Sequence, residues 1–201
     1  MIDKQDVIAF FDRCAPTWDE NMIRNEEVIR KILDNGGVVA GASVLDVACG
    51  TGVLFPDYLS RNVRHVTAVD ISPEMVKIAA SKYPESPIQV ICGDVEEIVF
   101  EEGFDVVMVY NAFPHFCSAK DLIHALAKAT KPGGRLSVAH SMSRKMIDHH
   151  HCGQAKPVSN GLMSEKELAE LFDPWYQVDI MISDEQMYQV SGIRREEQEN
   201  K

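Results

Sequence analysis

The residues of this chain best suited to chemistry begin at Val44-Leu45-Asp46-Val47-Ala48-Cys49-Gly50-Thr51-Gly52, where an apolar run passes straight into a Gly-x-Gly turn. Glycine has no Cβ, so a backbone built this way can approach a ligand closely. Val53, Leu54 and Phe55 follow Gly52 in place of a third glycine, which disfavours a pyrophosphate clamp. Two further acids stand where short apolar runs end, Asp70 after His65–Val69 and Asp94 within Cys92-Gly93-Asp94-Val95. A carboxylate at the first of these can accept both hydroxyls of a ribose. One at the second can accept from the exocyclic amino group of adenine. A single acid at a strand end is commonly a helix cap; three at successive strand ends beside a glycine turn are hard to dismiss as caps.

A second group is titratable. Tyr110-Asn111-Ala112-Phe113-Pro114-His115-Phe116 follows the fourth apolar run, His140-Ser141-Met142-Ser143-Arg144 the fifth, and His149-His150-His151-Cys152 comes soon after. Three readings of these histidines compete. Imidazole is a general base toward a hydroxyl or thiol near neutral pH. It is also a ligand for zinc, copper, nickel or cobalt, although adjacent residues rarely point at one centre, so 149–152 supplies two ligands at most. The third reading is a solvated polar helix end. Base or substrate contact ranks above metal, because no pair has the spacing of His-Glu-x-x-His. Among the thiols, Cys49 and Cys92 read as core residues. Cys117 and Cys152, with Met142, Met146 and Met163, would make a soft pocket near the same mouth.

The elements that must hold these residues alternate along the chain. Strands are expected at Val44–Ala48, His65–Val69, Ile88–Cys92, Phe104–Val109, Leu136–His140, Val178–Ile182 and Met187–Val190. Helical spacing marks Gly52–Ser60, Glu74–Lys82, Ala119–Thr130 and Glu165–Phe172. This is an α/β pattern with a parallel sheet covered on both faces. Ser72-Pro73-Glu74 caps one helix, and Lys131-Pro132-Gly133-Gly134 stops another. Residues 1–43 read as a helical lid segment, Lys4–Arg13 and Met22–Asp34, and 44–201 as the main domain. Residues 141–163 are an insertion near the active site. Additions at the carboxyl ends of strands often cover a ligand.

The strings Val-Leu-Asp-Val-Ala-Cys-Gly-Thr-Gly, Val-Asp-Ile-Ser-Pro-Glu-Met, Gly-Asp-Val, Phe-Asp-Val-Val and Lys-Pro-Gly-Gly-Arg-Leu closely resemble the class I S-adenosylmethionine-dependent methyltransferases over about residues 44–140. The resemblance implies a doubly wound, Rossmann-like, seven-stranded sheet, mostly parallel with an antiparallel last strand. It implies that Asp46, Ala48, Gly50 and Gly52 surround the methionine part of S-adenosyl-L-methionine, that Asp70 and Ile71 meet ribose and adenine, that Asp94 and Val95 hold the adenine edge, and that Met75 packs on its face. Asn111 and Ala112 then line the methionine side, and the loop carrying His115 borders the acceptor, with His140 and His151 as further candidates for catalysis. Phe10-Phe11-Asp12-x-x-Ala15-x-x-Trp18-Asp19 looks like the opening segment of quinone-biosynthesis-type and related small-molecule methyltransferases, in which an aromatic at Trp18 closes over the cofactor.

Charge and composition narrow the class. Of 201 residues, 31 are Asp or Glu and 20 are Lys or Arg, a net charge of −11 that repels a phosphate backbone. No Asn-Pro-Pro-aromatic or Asp-Pro-Pro-aromatic string follows the fourth strand, so nucleic acid is not the expected partner. The chain is expected to be a cytoplasmic monomer or homodimer with no membrane span, since no apolar run approaches the ~18 residues a span needs and the odd, unpaired cysteine pattern suits a reducing compartment. The expected activity is methyl transfer to a small-molecule acceptor, releasing S-adenosyl-L-homocysteine. A metal is possible in principle but not favoured. The competing class is a non-catalytic S-adenosylmethionine- or metal-binding sensor or carrier on the same fold.

Overall fold

A computed structural model of the protein describes residues 2–151 and 155–196, the side chains of residues 21 and 148–151 aside. Seven strands, β1 (Ser43–Val47), β2 (His65–Asp70), β3 (Ile88–Cys92), β4 (Phe104–Tyr110), β5 (Thr130–His140), β6 (Tyr176–Ser183) and β7 (Tyr188–Arg194), form one sheet in the order β3-β2-β1-β4-β5-β7-β6. β1 to β5 pair in parallel, and β7 runs antiparallel to both β5 and β6. All five residues of β1 are buried, as a central strand with helices on both faces requires. One face packs a core around Leu122, Leu126, Phe172 and Tyr176. The other packs Ile29, Ile32, Leu33, Phe55 and Tyr58. The strand order reverses between β1 and β4, and the loops leaving their carboxyl ends diverge there and open a crevice.

The helices are α1 (Lys4–Cys14), α2 (Glu26–Asn35), α3 (Phe55–Ser60), α4 (Pro73–Lys82), α5 (Ala119–Ala129), α6 (Arg144–His151) and α7 (Glu165–Phe172). Several boundaries differ from the sequence expectation for local reasons. β1 stops at Val47 because Ala48 takes φ +53°, and α3 starts at Phe55, not Gly52, because Gly50 and Gly52 also have positive φ. The second amino-terminal helix starts at Glu26, where the Asn25 side chain accepts from the Val28 N–H; short 3₁₀ turns occupy Ala15–Thr17 and Asp19–Asn21. Lys131-Pro132-Gly133-Gly134 does end α5, but inside β5. Thr130 already pairs with Phe104, and a register shift beyond it absorbs the extra residues. Cys92, expected in the core, is exposed, because β3 is the sheet edge. Ser164 and Glu167 form a reciprocal capping box on α7. No described helix is long and apolar enough to cross a membrane.

Candidate active site

A cavity of about 550 Å³ opens at the carboxyl edge of the sheet, above the point where the strand order reverses. Its floor is made by the turns after successive strands. Ala48, Cys49 and Gly50 follow β1; Asp70 and Ile71 end β2, with Met75 from α4; Gly93, Asp94, Val95 and Glu96 follow β3. Tyr110, Asn111, Ala112 and His115 continue the wall after β4, and Phe11, Cys14 and Trp18 of the amino-terminal segment roof it. Of the residues singled out in the sequence, Trp18, Ala48, Gly50, Asp70, Ile71, Met75, Asp94, Val95, Asn111, Ala112 and His115 therefore meet at one cavity.

The glycine turn is shaped by its neighbours. A Cβ on Gly50 would meet no protein atom within 4 Å, so the space beside it is open to a ligand. Gly52 serves a different purpose, since a Cβ there would lie 2.5 Å from the Phe55 ring. It stands outside the cavity wall and permits α3 to pack. The Gly50 N–H donates to Asp70 Oδ2 at 2.8 Å and the Ser72 N–H donates to Oδ1 at 2.9 Å, so one carboxylate ties the first turn to the second. Burial pushes the Asp70 carboxyl above its ordinary range, against the pull of these amide hydrogen bonds.

Asp46 lies beneath the floor, 2% exposed and off the cavity wall. Its Oδ2 has no hydrogen-bond partner among the described residues, and burial raises its pKa to about 8, with the Tyr58 hydroxyl opposing and the Asp70 charge reinforcing the shift. At the third turn, Asp94 Oδ1 accepts from the Glu96 N–H at 3.0 Å and Oδ2 pairs with Lys4 of α1. The two acids raise the Lys4 pKa, Asp94 by its hydrogen bond foremost.

His115 occupies the junction of three segments. Its Nδ1 lies 2.7 Å from the carbonyl oxygen of Val158, and its ring meets Phe11 edge-on at 5.0 Å. Phe11 in turn meets Trp18 at 5.7 Å, and Trp18 is 38% exposed at the mouth. None of the described residues of 141–163 lines this cavity. They brace the His115 loop from behind, through Val158 and through Asn160, whose N–H and Nδ2 donate to the carbonyls of Pro114 and Phe116 at 2.9 Å.

The other histidines are placed differently. His140 ends β5 but is 2% exposed, turned against the Tyr188 ring at a centroid distance of 6.1 Å and off the cavity wall. The backbone of His151 ends α6; its side chain, like those of His149 and His150, lies outside the described residues, as does Cys152. Among the described residues no three His, Cys, Asp or Glu side chains are grouped to hold a metal ion. Cys117 lines the cavity as expected, but Met146 is exposed and Met142 and Met163 pack against the core, none of the three on the cavity wall. Sequence reading missed Tyr110, Lys4 and Cys14 on the wall. The position of Tyr110 as the last residue of an apolar strand was the available signal for it.

Comparison with known proteins gives a consistent picture. Residues 44–134 match the family described as "Methyltransferase domain". The demethylmenaquinone methyltransferase of Renibacterium salmoninarum is 33% identical over 146 residues, 69% of this chain and 60% of that protein. A ubiquinone biosynthesis O-methyltransferase of Xylella fastidiosa is 38% identical over 105 residues, 50% of this chain and 42% of its own length. The malonyl-[acyl-carrier protein] O-methyltransferase of Priestia megaterium is 27% identical over 176 residues, 86% of this chain and 64% of that one. The chain thus spans 42–64% of the length of these curated relatives. Among solved structures, the DhpI–SAH complex superposes with a TM-score of 0.74 at 14% identity, covering 96% of this chain and 97% of that one. The N-methyltransferase NodS from Bradyrhizobium japonicum WM9, in complex with S-adenosylhomocysteine, gives 0.64 at 17% identity, covering 85% of each. At these identities the likeness is one of fold.

Proposed function

We propose that the chain, whose residues 44–134 match a methyltransferase domain and which resembles enzymes of quinone biosynthesis, is a class I S-adenosylmethionine-dependent methyltransferase that methylates a small-molecule acceptor held beneath its amino-terminal segment. The observation that carries this reading is the convergence of the turns after β1, β2 and β3, with Gly50, Asp70 and Asp94, on a single cavity. The open space beside Gly50 suits a ligand pressed against the backbone. Asp70 is the acceptor for ribose hydroxyls, since each of its oxygens spends one lone pair on an amide and retains another. Ile71, Met75 and Val95 supply the apolar surface for adenine, with Asp94 at its edge. Ala48, Asn111 and Ala112 border the methionine part.

Bound S-adenosylmethionine supplies an electrophilic methyl on a sulfonium, transferred by in-line displacement. The chain's task is to align the acceptor and exclude water. Phe11 and Trp18 form an aromatic roof over the mouth, which does both. A carbonyl oxygen only accepts, so the short contact to Val158 places the His115 ring proton on Nδ1 and leaves Nε2 as the basic nitrogen of the neutral ring. That nitrogen takes the proton of a hydroxyl or thiol acceptor as the new bond forms.

The test is to incubate the purified chain with methyl-labelled cofactor and pools of phenols, quinols, thiols and carboxylates. Label transferred to one pool supports the reading. Intact cofactor affinity with no transfer to any pool would instead support a sensor or carrier.

A further inference from the structure

Each of the three turns assigned to the cofactor is held by one charged side chain from the amino-terminal segment. In the turn after β1, Thr51 Oγ1 donates to Asp19 Oδ1 at 2.5 Å, and Asp19 Oδ2 pairs with Lys82 at 2.6 Å. In the turn after β2, Ser72 Oγ donates to Asp12 Oδ1 at 2.6 Å, and the Glu74 N–H reaches the same oxygen at 3.3 Å. In the turn after β3, Lys4 pairs with Asp94, and with Glu96 at 3.1 Å. Lys4, Asp12 and Asp19 follow one another along the chain as β3, β2 and β1 follow one another across the sheet. The segment is therefore laid along the carboxyl edge of the sheet, one tie per turn.

Apart from the edge contact of Phe11 with His115, little apolar burial fixes it there. Among the described side chains between residues 2 and 24 only Val7 and Ala15 are buried, and the burial of one valine and one alanine is worth only about 2–3 kcal/mol. Polar ties of this kind select a position more than they drive collapse. They end on the residues that a ligand would touch or on immediate neighbours of those residues: Thr51 beside Gly50, Ser72 two residues beyond Asp70, and Asp94 itself.

We propose that Lys4, Asp12 and Asp19 are positioning residues, a three-point latch that couples the closed position of the amino-terminal segment to the shape of the cofactor turns and so sets how long the cofactor stays bound. This rests on the cofactor reading above. The latch acts through Thr51, Ser72 and Asp94, and none of its three members needs to take part in the chemistry. The Lys4–Asp94 tie and the pairing of Asp19 with Lys82 of α4 are ion pairs reachable by solvent, so the latch loosens as salt screens them.

The experiment measures S-adenosylhomocysteine dissociation by stopped-flow fluorescence for the wild-type chain, Lys4→Met, Asp12→Ala, Asp19→Ala and the triple variant. Dissociation should speed up about two- to fivefold for each single variant, the scale of a partly exposed polar tie, and by about tenfold or more for the triple. Lys4→Arg and Asp12→Asn, which keep the charge or the acceptor, should restore slow dissociation. The wild-type rate should rise with added KCl, and the triple variant should have lost that dependence. Limited proteolysis between residues 15 and 25 should be slowed by S-adenosylhomocysteine in the wild type and not in the triple variant. Dissociation rates within experimental error of wild type in all four variants, with the wild type binding normally, would overturn the latch and leave the cofactor reading intact. Should the triple variant fail to fold, Lys4→Met, altering a side chain 39% exposed, decides alone. Failure of the wild-type chain to bind S-adenosylhomocysteine would overturn the cofactor reading and the latch with it.

Discussion

His115 donates from Nδ1 to the carbonyl oxygen of Val158 across 2.7 Å, although 43 residues separate them. The loop proposed to border the acceptor thus borrows its orientation from the segment that follows β5. If Nε2 is the base, His115→Asn removes proton transfer and keeps an amide N–H near the place of Nδ1, able to donate to Val158. Turnover should fall about 100-fold or more, the usual yield of general base catalysis, while the dissociation constant for S-adenosylhomocysteine should change by less than about threefold, under 1 kcal/mol. Single-turnover kinetics on the acceptor found by pool screening, paired with calorimetry, separates the two quantities. Unchanged turnover would remove His115 from the chemistry.

Asp70 holds two backbone amides in the structure and is proposed to hold the cofactor ribose, and its removal should show both. Asp70→Ala should weaken cofactor binding by about 1.5–3 kcal/mol, the scale of hydrogen bonds to a charged group. The Gly50 and Ser72 amides would also lose their acceptor, which should lower the melting temperature of the cofactor-free chain. Titration calorimetry and thermal unfolding on the same preparation measure the two effects. Full affinity in a folded variant would take Asp70 out of the site.

How much of this was legible from the sequence depends on the range of the interaction. Gly50, Asp70 and Asp94 could be read together because each belongs to, or directly follows, an apolar strand, and parallel strands deliver their carboxyl ends to one edge. The same rule sent His140 to that edge but could not say which way its side chain turns. Its register partner is Tyr188 on β7, and its ring packs there. Cys92 looked like a core thiol because exposure at β3 depends on which strand is the sheet edge, a property of the whole topology. The ties of Lys4 to Asp94 and Asp12 to Ser72 join residues 90 and 60 positions apart, and no local pattern of charge reports such pairings. Ala48 was read as a cofactor contact, yet its left-handed backbone was not foreseeable from an alanine.

That backbone leads to a prediction. Ala48 has φ +53°, a conformation that costs a non-glycine residue about 1–2 kcal/mol. Glycine removes this cost and adds about 0.5–1 kcal/mol of unfolded-chain entropy. Ala48→Gly should therefore stabilise the chain by about 0.5–1 kcal/mol, which raises the melting temperature of a chain this long by about 1–4 °C. Thermal denaturation without cofactor is the direct check. A lower melting temperature would mean that the contacts of the Ala48 methyl with the neighbouring core outweigh the backbone strain.

Asp46 sets a pH dependence whose sign can be worked out. Its carboxyl is raised to about 8 by burial in the folded chain, while an unfolded aspartate titrates near about 3.9. The native state therefore holds this proton more tightly than the unfolded state. The resulting stability is fully present below about pH 4 and is lost as pH rises toward 8. Within that window one such group contributes a slope of at most about 1.4 kcal/mol per pH unit. Asp46→Asn keeps the shape and removes the titration, so between pH 5 and 8 the variant should lose less stability than the wild type and be the more stable of the two at the upper end. Asp70, also raised by burial, contributes with the same sign in both chains. Asp105 does not confuse the comparison: burial alone would raise it, but Lys131 and Ser43 hold it at about 2, so its contribution is present above about pH 4 and disappears only under stronger acid. Chemical unfolding at a series of pH values gives both curves, and identical slopes would show that Asp46 is ionised in the native protein.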